Sequence, residues 1–104
     1  TSDLKRVADE RILLAESKET KRQVNDQISI FQESLSNSAS EIVEQTIISL
    51  EQLSDRLNEI TGELQSAAKE KINLSRTKLN ALSHELRGMV SEIESFGKIS
   101  LATA

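Results

Sequence analysis

The chain has 104 residues, 13 Lys and Arg against 17 Asp and Glu, and a net charge of −4. It contains no proline and no cysteine, three glycines, and only Phe31 and Phe96 as aromatics. Disulfides and thiolate metal sites are therefore excluded, and a nucleic-acid partner is disfavoured because charges of both signs are spread throughout.

One hundred and four residues make a single domain, or one segment of a longer helical protein. A first residue of Thr favours an excised or processed piece. With proline absent and glycine rare, long uninterrupted helices are expected. Large rings supply much of the buried area in compact cores, so a thin, elongated core of Leu, Ile, Val and Ala is expected. The opening "TSDLKRVADER" lacks the apolar core of a signal peptide, and no apolar run approaches membrane-spanning length.

A first helix is predicted over about 3–36. Val24, Ile28, Phe31 and Leu35 recur at steps of three and four, the period of helices packed along a seam. Towards the N-terminus the rhythm weakens, and the equivalent positions hold Leu14, Ser17 and Lys21. The stretch "LSNSAS" at 35–40 is the best break in the chain, since Ser and Asn compete with the helical backbone for hydrogen bonds. Ser38 and Glu41 have capping-box spacing before the apolar pair Ile42-Val43.

A second helical stretch is predicted over about 40–97, continuous or split near 62. Its apolar series starts at Val43 and Ile47 and runs through Leu50, Leu53, Leu57, Ile60, Leu64, Ala68 and Ile72. It resumes at Leu79, Leu82, Leu86, Met89, Ile93 and Phe96, with Ser75 as the one polar interruption. Leu57-Ile60-Leu64-Ala68 has an eleven-residue spacing that relaxes a left-handed supercoil. Thr61-Gly62 coincides with that phase shift and is the second candidate break.

Charge favours helices that fold back on one another. Residues 41–63 carry six acids and the single base Arg56, whereas residues 64–104 carry six bases and four acids. A reversal at 37–38 would bring Lys18 and Lys21 towards Glu59 and Asp55. A reversal at 62 would bring Asp55 and Glu51 near Lys69 and Lys71. Such exposed pairs contribute little energy but help select register. The expected fold class is all-α, an elongated antiparallel helical hairpin or three-helix bundle with coiled-coil packing.

The sequence offers little chemistry. With one His and no Cys, "HELRG" lacks the second histidine of a zinc-protease helix. The acid pairs Asp55/Glu59 and Glu41/Glu44 read as solvated helix faces. No nucleophile–base–acid set or glycine-rich phosphate loop occurs, and a narrow bundle rarely forms the shielded pocket that general acid–base chemistry needs. Neither an enzyme nor a cofactor or metal is expected. The polar faces are acidic or mixed and lack Trp, so helical partners suit the apolar stripe better than a membrane surface does. Nothing in the residues fixes the compartment, with the cytoplasm favoured.

Two stretches carry resemblances. "SHELRG" around His84 resembles the phosphoacceptor box of sensor histidine kinases and is similar to the core of histidine phosphotransfer domains. The resemblance implies His84 as acceptor and Glu85 as assisting acid. Gly88-Met89-Val90 stands where the kinase pattern has Thr-Pro-Leu. The tail "ALSHELRGMVSEIESF" and the stretch "EIVEQTIISLEQLSDRLNEI" resemble bacterial chemoreceptor signalling helices, which implies a rigid, signal-transmitting rod.

The expected function is a non-catalytic coiled-coil or bundle module, contacting a helical partner or itself as a homo-oligomer. Its interaction seam would be Leu50, Leu53, Leu57, Ile60, Leu64, Ile72, Leu79, Leu82, Leu86, Met89, Ile93 and Phe96. Lys21 and Ser75 would be polar seam positions that fix register. The alternatives are a phosphotransfer element using His84 and a structural self-assembling protein.

Overall fold

A computed structural model describes residues 2–37, 41–70 and 74–103. Three helices account for almost all of them: α1 (Ser2–Asn37), α2 (Glu41–Lys69) and α3 (Arg76–Thr103). They pack as an up-down-up bundle. Ser17 on α1 meets Thr61 on α2, which sets those two helices antiparallel. Arg56 meets Glu85 and Glu63 meets Lys78, which sets α2 and α3 antiparallel in turn. α1 and α3 therefore run parallel, tied near one end where Arg6 Nη1 donates to the Leu74 carbonyl at 3.1 Å.

α2 ends at Lys69 and α3 begins at Arg76, so the second break is not at Gly62. Thr61 and Gly62 lie inside α2, so the predicted split near 62 and the alternative of one helix through 97 are both corrected. A single interior glycine costs a helix only about 1 kcal/mol, which the buried Leu57, Ile60 and Leu64 around it outweigh. Ser75, read from spacing as a seam position, is an exposed helix cap. Its Oγ accepts from the Lys78 backbone N–H at 3.2 Å, and its carbonyl accepts from the Leu79 N–H at 3.0 Å. That is the geometry by which a serine starts a helix. The "polar interruption" is thus the start of α3.

Leu50, Leu57, Ile60 and Leu64 from α2, Val24 and Phe31 from α1, and Leu86 from α3 form the innermost layer. Each contributes roughly 1.5–3 kcal/mol by leaving water. On the core face of α1 the expected Ser17, Val24 and Phe31 are buried, but Leu13 and Thr20 are buried in place of their expected neighbours Leu14 and Lys21, which are only half-buried. The bundle measures 54 × 20 × 16 Å with a radius of gyration of 16.1 Å. A compact domain of this length would have about 13 Å. The elongation follows from three long helices around a thin, mainly aliphatic core in which Phe31 is the one fully buried ring among the described residues.

Candidate functional site

Every apolar residue of the predicted seam with a described side chain belongs to the interior of the chain itself, whereas of the polar seam positions Ser75 is exposed and Lys21 half-buried. Leu50, Leu53, Leu57, Ile60, Leu64, Leu79, Leu82, Leu86, Met89 and Ile93 are buried, and Phe96 is half-buried against the same cluster. Ile72 lies outside the described residues. The stripe therefore builds the bundle, and any contact with another molecule has to use what remains outside.

What remains is aliphatic. Leu4, Ile12, Ile30, Ile42 and Ile48 are exposed, with Ile42 at 58 % and Ile12 at 56 %. They interrupt no heptad pattern, which is why reading the seam passes over them. Ile12, Glu16, Glu19, Gln23 and Ile30 are spaced by fours, threes and sevens, so they share one flank of α1. Beside that flank an open groove of about 490 Å³ runs between α1 and α3. Its floor is Ala15, Thr20, Leu86 and Val90, and Glu16 and Arg87 border it. A second groove of about 320 Å³ lies between the start of α2 and the end of α3, lined by Ile42, Thr46 and Phe96.

His84 is exposed on α3. It follows the buried Leu82 by two residues, about 200° around the helix, which turns it away from the core. Its neighbour Glu85 is half-buried and accepts from Arg56 Nη2 at 2.5 Å, bridging α3 to α2. Arg56 also donates to Glu59 at 2.6 Å. The hydrogen bond to Glu59, then the charge of Glu85, holds the Arg56 guanidinium above its ordinary range. Glu85 is thus engaged as an interhelix tether.

Of the polar groups inside the bundle, only Ser17 stands at an expected seam position; Glu10, Thr20, Thr46 and Thr61 do not. Ser17 and Thr61 share a buried hydrogen bond between α1 and α2. Thr46 Oγ1 satisfies itself on the Ile42 carbonyl at 2.7 Å. Glu10 is 4 % exposed, and its Oε1 has no hydrogen-bond partner among the described residues. The three-four spacing Glu10-Leu13-Ser17-Thr20-Val24 would have revealed this face had polar residues been allowed on it. On the surface of α1, Arg22 donates to Glu19 at 3.0 Å and to Asp26 at 2.7 Å. The Arg22 hydrogen bond holds the Glu19 carboxyl below the ordinary carboxylate range.

Among the described residues no three His, Asp or Glu side chains converge on a point where a metal could sit. No described helix is long and apolar enough to cross a membrane. The arrangement brings together tethers, caps and aliphatic grooves on the faces of a rod. No protein-family model, curated protein or solved structure matches this chain.

Proposed function

We propose that this chain is a non-catalytic helical-bundle module that works by coiled-coil contact, with further copies of itself or with partner helices, as a rigid element of a signal-transmitting assembly. The observation that carries this reading is the division of its aliphatic residues. The core is closed by one stripe on each helix, yet Ile12, Ile30 and Ile42 stay exposed, Ile12 and Ile42 on the lining of open grooves. Isolated exposed aliphatics are ordinary, but aliphatics grouped with apolar grooves are what a contact surface needs. The 54 Å length supports it, because a stiff rod can present such a face over many helical turns.

Sedimentation equilibrium tests the reading. Wild-type protein should gain mass below about 1 mM, a threshold of roughly 4 kcal/mol of association. A variant with Ile12→Ser, Ile30→Ser and Ile42→Ser should keep its helical spectrum and stay monomeric. Equal masses for the two at every concentration would remove the aliphatic faces from the account.

A second reading rests on the exposure of His84, which leaves its ring open to a phosphodonor. Incubation with a small-molecule phosphodonor, followed by detection of acid-labile phosphate, separates it. Phosphate on wild type and none on His84→Gln would support phosphotransfer, and none on either would eliminate it.

A further inference from the structure

We infer that a second copy of this chain covers the α1/α3 groove, side by side and parallel, so that α1 of each copy lies on α3 of the other. This rests on the interaction reading above and names its surface and occupant. Two stripes flank the groove besides the core stripes. On α1 they are Ile12, Glu16, Glu19, Gln23 and Ile30; on α3 they are Ser83, Arg87, Val90 and Gly97. Both follow the three-four rhythm by which one helix packs on another.

Size permits the contact. A face 54 Å long and 16–20 Å wide offers on the order of 900 Å² per copy, close to the roughly 800 Å² per partner of a standard interface.

Charge chooses the orientation. Glu16 and Arg87 lie at the same level of the parallel helices, since they border the same groove, yet no ion pair joins them within the copy. A two-fold axis along the bundle exchanges the α1 and α3 flanks. It sets Arg87 of each copy against Glu16 and Glu19 of the other. A perpendicular axis would instead lay α1 on α1 and α3 on α3, so that Arg87 would meet no acid of α1 across the interface. Gly97 has open space where a Cβ would stand, so the α3 flank has room for an isoleucine from the facing α1.

The test uses two variants and their mixture: Arg87→Glu, and Glu16→Lys with Glu19→Lys. Each should keep the wild-type helical spectrum, because all three side chains are exposed, and Glu19→Lys should lower the melting temperature only slightly through loss of its surface pair with Arg22. Each alone should self-associate at least tenfold more weakly than wild type by sedimentation, since like charges would then meet across the interface. Mixed in equal amounts, they should form a heterodimer as tight as the wild-type homodimer. A mixture that stays monomeric, or variants that associate as well as wild type, would overturn the proposal. If association is instead lost on Ile42→Ser alone, the contact lies on the α2/α3 groove, and the interaction reading survives without this surface. Wild type that stays monomeric at all concentrations overturns the second copy as occupant.

Discussion

Ser17 and Thr61 exchange one hydrogen bond where the pattern would have placed aliphatic side chains. Satisfied, the pair is close to neutral; broken, it leaves a buried hydroxyl without a partner. Ser17→Ala should therefore cost about 1–3 kcal/mol. Ser17→Ala with Thr61→Val should recover most of that loss in urea denaturation, because both polar groups are then gone. A double variant as unstable as the sum of the singles would show that the two hydroxyls act independently. The same scale separates two near neighbours on α3. Leu82, 5 % exposed, should cost roughly 2–5 kcal/mol on change to alanine. His84, two residues on and exposed, should cost no more than about half a kcal/mol. A large loss at His84 would mean that its ring is packed and hydrogen-bonded, contrary to the arrangement described here.

At the scale of elements, most of the fold was legible. The three-four apolar period marked the buried stripe from Val43 to Ile93, and the Ser- and Asn-rich stretch at 35–40 marked the end of α1 at Asn37. Two things were not legible, and each has a physical cause. Glycine looked like a breaker at 62, but helix breaking depends on what the neighbouring turns bury, and the turns around Gly62 bury three large aliphatics. Serine looked like a polar seam residue at 75, because periodicity alone cannot distinguish a side chain facing a partner from one turned back onto its own backbone. The candidate surface was less legible still. The seam was found and proved to be internal to the bundle, while the exposed Ile12, Ile30 and Ile42 lie off it. The two helix signals can be tested together. Gly62→Ala has open space at the new Cβ and should stabilise by about 0.5–1 kcal/mol. Ser75→Ala should destabilise by roughly 0.5–2 kcal/mol through loss of the cap. Destabilisation by Gly62→Ala would put the chain reversal back at 62.

For the whole molecule, three helices share one slender core, and the lateral faces carry the aliphatic residues that the core does not use. The tethers Arg56–Glu85 and Lys78–Glu63 sit on the surface between α2 and α3. Such exposed pairs add little stability, so their value is in holding α3 in register while α1 and α3 expose their common groove. The fold is then a slender body with an open groove between α1 and α3 along one side. Small-angle X-ray scattering over a concentration series tests that shape and the proposed association at once. At infinite dilution it should give the mass of one chain and a radius of gyration near 16.1 Å, and both mass and cross-section should rise with concentration while the length stays the same. A dilute-limit particle about 95 Å long, the span of an unbroken helix through residues 41–103, or a mass that never rises, would contradict the account.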